Sequence, residues 1–244
     1  MTAIRLSERD LRVITKCTVG KWLTTGQISR LYFSGVSADA VRKSLRRLAD
    51  AGYLVNYREH QMAEALHGLG PKGKGLLETK GYSAEVARTP PRQSEHLIGL
   101  NDIRVAVETS NLRVAYFFAS WEVQSLGWLH PLVPDAVLGL RLSGRQTFFL
   151  EYDRGTETLA TVTKKLRFYE EGLSGIRFRA VLVIAESSSR LETLARQLRK
   201  AGFFRRMLGA LKNDILEAGI GAPVFRDLAR HSQHQTCLSE LGEL

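Results

Sequence analysis

The residues best suited to chemistry are Pro134-Asp135 and the triplet Glu151-Tyr152-Asp153. Side chains alternate faces along a strand, so Glu151 and Asp153 share one face, with Thr147 and Phe149 behind them. Asp135 opens the preceding strand, and its face depends on register. A three-residue loop Ser143-Gly144-Arg145 pairs Leu142 with Gln146, and hence Asp135 with Asp153. A two-residue loop places Asp135 opposite Tyr152 instead and breaks the cluster, unless a bulge intervenes. Three carboxylates on one face repel each other, which costs stability unless a cation sits among them. Hard oxygen ligands with room for water suit Mg²⁺ or Mn²⁺. Such an ion activates water and neutralises a phosphodiester transition state. The bland alternative is an Asp135 in a turn and a solvated acidic strand face.

The elements that must position these acids follow a change of periodicity near Ala87–Gln93, where Pro90-Pro91 favours an extended connection. This puts a domain boundary between residues 1–92 and 93–244. Ser94 caps a helix from Glu95 to about Thr109, and Val114–Val123 reads as a strand. Val133–Leu142 and Gln146–Asp153 form a hairpin. Thr156–Gly172 is a helix with Leu159, Val162, Leu166 and Tyr169 on one face. Phe178–Ala185 is apolar on both faces, as a central strand is. Ser189 with Glu192 caps a further helix that Gly202 ends. This order is that of an α/β domain.

The first 92 residues carry a different signal. Ser7 caps a helix from Glu8 to about Thr18, and Thr24 with Gln27 forms a capping box for a short helix through Phe33. Ser37 caps a third helix, Ala38–Ala51, which Gly52 ends. Val41, Leu45 and Leu48 recur at helical spacing, leaving Arg42, Lys43, Arg46 and Arg47 on the outer surface. Helix, short turn, helix and basic face make a helix-turn-helix. Strands at Tyr53–Arg58 and near Ala63–Leu69 follow, with a wing between them, and Pro71 starts a last helix to Thr79. Arg42, Lys43, Arg46 and Arg47 would meet phosphates and base edges, with Arg58 reaching from the wing. The competing reading is a solvated helix face. The charge balance favours DNA. The net charge is +10, and residues 1–92 hold 16 Lys/Arg against 8 Asp/Glu while the rest is nearly balanced.

The run "ADAVRKSLRRLADAGYL" with "LGPKGKGLL" resembles the winged-helix domains of bacterial regulators and plasmid proteins. The later "PD…ExD" resembles the PD-(D/E)XK nuclease superfamily, whose acids map to Asp135 and Glu151. The superfamily's lysine two residues after the glutamate is replaced by Asp153. The resemblance implies that Lys164 or Lys165 on the next helix supplies the displaced cation, so that Asp135, Glu151, Asp153 and Lys165 form the catalytic set. It also implies Glu95 as a further acidic ligand. A winged helix joined to "EYDRGTE…KKLRFYE" is similar to the replication-relaxation family of plasmid and mobile-element proteins, and to MOB-C conjugative relaxases. The implied fold is α+β: a winged helix-turn-helix followed by a restriction-endonuclease-like domain. The implied activity is metal-dependent nicking at an origin of transfer or replication. The implied partners are double-stranded DNA, other relaxosome or replication proteins, and a second copy of the chain.

Other classes find little support. The longest apolar run, Ala180–Ala185, is too short to span a bilayer. The start lacks a signal-peptide pattern, and the two cysteines, Cys17 and Cys237, do not suggest a disulfide framework. A reducing cytoplasm is the compartment these features fit. His231 and His234 have helical metal-ligand spacing without a third ligand, and His96 and His130 are isolated, so a histidine-cluster relaxase fits poorly. No glycine-rich nucleotide loop lies between a strand and a helix. A basic helix from Leu191 to Lys212 offers either a DNA-tracking face or a solvated one. Two functions compete: a metal-dependent nicking enzyme, and a non-catalytic DNA-binding accessory protein or repressor that retains a nuclease-like fold.

Overall fold

The computed structural model describes residues 4–91, 94–171, 176–230 and 234–242. The chain is α+β with two separate sheets, and it divides into two compact units, Met1–Val105 and Ala106–Leu244. Among the described residues no helix is long and apolar enough to cross a membrane.

In the first unit, α1 (Glu8–Gly20) starts on Ser7, whose hydroxyl accepts from the Asp10 N–H at 3.2 Å while the Asp10 carboxylate takes the Ser7 N–H at 2.8 Å. Next comes β1 (Trp22–Thr24), which the sequence does not announce. All three of its residues are buried, so it has no alternation to read. Thr24 and Gln27 then box the start of α2 (Thr25–Tyr32). Helix α3 (Ala38–Asp50) is capped by Ser37 and buries Val41, Leu45 and Leu48. Gly52, at φ +83°, turns the chain out of α3, a conformation that costs other residues a Cβ clash. Strands β2 (Leu54–Tyr57) and β3 (Leu66–Leu69) lead to α4 (Pro71–Glu78), which has Pro71 in its first turn. The sheet runs β1-β3-β2, antiparallel throughout. Val13, Ile14, Leu23, Ile28, Leu45, Leu48 and Leu69 lie in its core.

The boundary expected after Arg92 falls at Arg92 and Gln93, outside the described residues. The two units divide later, inside α5 (Ser94–Glu108). Polar contacts tie its early turns to the first unit. Gln27 donates to the Ile98 carbonyl at 2.8 Å and to Asp102 at 3.1 Å. Asn101 donates to the carbonyls of Gly20 and Trp22. These buried groups need partners, and α5 supplies them.

The second unit holds a six-stranded mixed sheet, ordered β4-β5-β6-β7-β8-β9. Strand β4 (Val114–Ala119) is shorter than expected, because Ser120–Ser125 turn into α6 with the Glu122 carboxylate accepting the Ala119 N–H at 2.9 Å. Strands β5 (Ala136–Arg141) and β6 (Arg145–Asp153) form the expected hairpin. Helix α7 (Leu159–Glu171), the fully buried β7 (Ala180–Ala185) and α8 (Ser188–Lys200, capped by Ser187 rather than Ser189) follow. The basic helix expected to reach Lys212 ends at Lys200. The Glu170 carboxylate takes the N–H groups of Phe204 and Arg205 at 2.9 and 3.1 Å, and the chain enters β8 (Met207–Leu211). Short α9 (Lys212–Ala218) and β9 (Arg226–Asp227) complete the sheet, with a 3-10 turn at Leu238–Gly242. Strands β6, β7 and β8 are parallel; the others are antiparallel to their neighbours.

The β5–β6 register decides the site. Arg141 faces Arg145 and Ala136 faces Leu150, so the loop is Leu142-Ser143-Gly144. It has three residues, one position earlier than expected. Continued one step, this register sets Asp135 beside Glu151 rather than Asp153. A shift of two leaves every side chain on its expected face.

Candidate functional site

Glu151 sits on the β6 face covered by α7, with its side chain 4 % exposed. Lys165 and Tyr169, one helical turn apart on α7, both reach it. The Tyr169 hydroxyl donates to Glu151 Oε1, and the Lys165 ammonium pairs with Glu151 Oε2. Lys165 Nζ also lies 3.8 Å from Asp135 Oδ1. The other oxygen of Asp135 accepts the Tyr152 backbone N–H at 2.8 Å, which pins the start of β5 to β6. Asp135, Glu151 and Lys165 therefore converge.

Their electrostatics are interdependent. Burial, reinforced by the negative charge of Asp135, pushes the Glu151 carboxyl up to about 8; Lys165 only partly opposes this. Burial draws the Lys165 ammonium down, but Glu151 and Asp135 outweigh it and the net shift is upward. Burial and the neighbouring Glu151 also raise Tyr169, which stays a neutral donor. The group holds one positive charge beside two acids.

Asp153 shares the face but has a different partner. Arg190 of α8 grips it in a two-pronged pair at 2.7 and 3.2 Å and also donates to the Glu157 carbonyl. The Gly155 N–H bonds the same carboxylate at 2.8 Å. Among the described residues no three acidic, histidine or cysteine side chains are grouped to hold a metal ion. The expected trio is thus an acid pair plus an acid engaged by arginine. The cause is Arg190, which lies thirty-seven residues away and shows no link to Asp153 in the sequence. Glu95 belongs to the first unit. His231 lies outside the described residues.

Helix α3 presents its cations unequally. Arg42, Lys43 and Arg46 are exposed, and Arg42 pairs with Asp39 one turn back. Arg47 turns inward and binds the buried Asp10 of α1 at 2.6 Å. Burial would raise Asp10, but the Ser7 N–H and Arg47 outweigh it and hold its pKa below the ordinary value. Arg58 is exposed on the β2–β3 connection and donates to the Gln61 carbonyl at 3.2 Å. Lys43, Arg46 and Arg47 line an open cavity of about 430 Å³ together with Lys72, in the first turn of α4. Lys72 joins this basic surface because its stem packs over Gly52, a contact absent from local sequence pattern.

The family model for replication-relaxation proteins matches residues 16–180, more than half of the chain, and the protein belongs to that family. No curated protein and no solved structure was found to match it. The matched span includes α3, Asp135, Glu151, Asp153 and Lys165; Arg190 lies beyond it.

Proposed function

We propose that the protein is a DNA-targeted nicking protein of a plasmid or other mobile element, acting at an origin of transfer or replication. The first unit is read as a winged helix-turn-helix, with α3 entering a groove of double-stranded DNA and Arg58 on the wing. Arg42, Lys43, Arg46 and Lys72 would neutralise phosphates. The second unit is read as a PD-(D/E)XK-like nuclease domain.

The observation that carries this reading is the Lys165 ammonium lying against both Asp135 and Glu151. Lys165 on α7 would take the part of the cation missing two residues after Glu151, where Asp153 stands. Asp135 and Glu151 would hold a Mg²⁺ or Mn²⁺ ion, which when bound supplies activation of water and neutralisation of the phosphodiester transition state. Two carboxylates suffice for a hard ion when water completes the shell, and the ion's charge would offset the burial of an ionised Glu151 beside Asp135. Lys165 would then serve the phosphate as a point charge. Asp153, gripped by Arg190, fixes the end of β6.

Supercoiled DNA carrying a candidate origin should become open circles when incubated with the protein and Mg²⁺ or Mn²⁺, and Asp135→Asn should abolish this. Absence of nicking across both metals and all candidate origins overturns the reading. One observation favours the second reading, a non-catalytic accessory protein or repressor: Lys165 and Arg190 already pair with all three acids. DNA binding that ignores metal and survives Glu151→Ala, without nicking, establishes that alternative.

A further inference from the structure

The face that carries Glu151 is covered unevenly. Helices α7 and α8 pack over β6, β7 and β8, where Val162, Leu166, Tyr169, Leu191 and Leu194 are buried. Over β4 and β5 the same face opens into a groove of about 470 Å³. The register orders its floor in rows across the strands. Tyr116 lies beside Gly139 and Thr147; Phe118 lies beside Val137 and Phe149; the next row is Asp135 beside Glu151. Successive rows are two residues apart, about 7 Å along the strand. The last row of the groove floor is therefore next to the row of Asp135 and Glu151. Ring contacts make the same link, since Phe149 packs on Tyr169 at 5.4 Å between centroids, and Tyr169 holds Glu151.

The lining mixes aromatic rings with aliphatic side chains, among them the exposed Leu126 and Leu129. Tyr116 and Phe118 are stacked, with centroids 5.3 Å apart and planes within 11° of parallel, each half-buried. Trp128 and His130 form a second ring pair at 5.2 Å. Two hydroxyls, of Tyr116 and Thr147, bond each other at 2.7 Å within the groove and supply polar atoms. Arg145 is exposed two residues before Thr147 on the same strand face, and Arg177 is exposed beside the lining residue Ile176. Flat rings, a few hydroxyls and flanking cations complement a nucleobase attached to a phosphate chain. An aliphatic peptide anchor would need neither the ring pairs nor the cations.

We propose that this groove holds an unstacked base of single-stranded DNA and thereby sets which phosphate reaches Asp135, Glu151 and Lys165. This rests on the nicking reading above and deepens it: the second unit would act on a locally opened strand, not on intact duplex. A base laid on the half-buried Tyr116–Phe118 pair is one row, about 7 Å along the strand, from Asp135.

The test uses the full-length protein and two fluorescein-labelled oligomers of equal length, one oligothymidylate and one abasic. The two carry the same phosphates, so only a base site separates them. Fluorescence anisotropy should show tighter binding of oligothymidylate, by about tenfold. Phe118→Leu, which preserves apolar filling but removes the ring, should erase that preference while duplex binding stays unchanged. Tyr116→Ala should do the same. Equal affinity of the wild-type protein for the two oligomers overturns the proposal, as does a preference that survives both variants. A groove that binds an aliphatic peptide equally well in wild type and Phe118→Leu, undisplaced by oligothymidylate, is a protein-docking site and also overturns it. The two readings separate cleanly. Base preference without nicking leaves the groove and removes the nuclease; nicking without base preference does the reverse.

Discussion

Glu151 is the residue whose behaviour reports most directly on the site. Its carboxyl, ordinarily near 4.5, is raised to about 8 in the fold, first by burial and then by Asp135. A carboxyl raised on folding contributes stability that is complete below 4.5 and is lost as pH climbs through 8. In buffer stripped of divalent ions, the melting temperature should therefore fall as pH rises across this window, and Glu151→Gln should flatten that fall. Mg²⁺ or Mn²⁺ should restore the wild-type protein at the alkaline end and leave the variant unaffected. Thermal melts at several pH values decide it; parallel curves for wild type and variant would show that Glu151 is not the group responsible. Asp153 behaves otherwise because Arg190 already compensates it. Two acids on one strand face thus have different chemistry, set by the helices above them.

At the scale of elements, the main revision concerns α3. Four cations on one helix read as four DNA contacts, but one of them holds the helix in place. Arg47 pairs with Asp10, whose side chain is only 5 % exposed, and Asp10 in turn caps α1 through Ser7. Arg47→Ala should destabilise the first unit by about 1–2 kcal/mol, the partial exposure of Arg47 tempering the loss of a buried acid's partner. Urea unfolding followed through that unit measures it. A loss of DNA affinity with unchanged stability would return Arg47 to the DNA-facing set. The hairpin teaches a related lesson. Its parity was legible from alternation, since an even slip preserves faces, whereas its register depends on where Gly144, at φ +134°, lets the turn close. Alternation is a local property; register is settled by pairing between strands.

At the scale of the whole molecule, the proposed function assigns the two units separate tasks on one polymer. Under the DNA-targeting proposal, the basic first unit would supply attraction that counterion release makes salt-dependent. If Arg46 meets one phosphate, Arg46→Ala should weaken duplex binding and reduce the slope of log K against log salt by about 0.9. Titrations at several salt concentrations check this; an unaltered slope removes Arg46 from the interface. Membership of the replication-relaxation family is consistent with such a division of labour, and the family match spans both the basic helix and the acid–lysine cluster.

By itself the sequence determined the helix caps, the burial of Val41, Leu45 and Leu48, the hairpin carrying the acids and the basic character of the first unit. Each follows from local rules: capping chemistry, periodicity and charge count act within a few residues. The resemblance to the PD-(D/E)XK superfamily offered Lys164 or Lys165 on the helix after β6 as a displaced cation, with Lys165 in the catalytic set. Only the tertiary structure shows that Lys165 and Tyr169 both reach Glu151. The same holds for the Arg190 grip on Asp153, the Arg47 tie to Asp10, and the three-residue β1. These depend on side chains or strands that meet from far apart in the chain. Such meetings are fixed by how helices settle on sheets, and no local pattern records them.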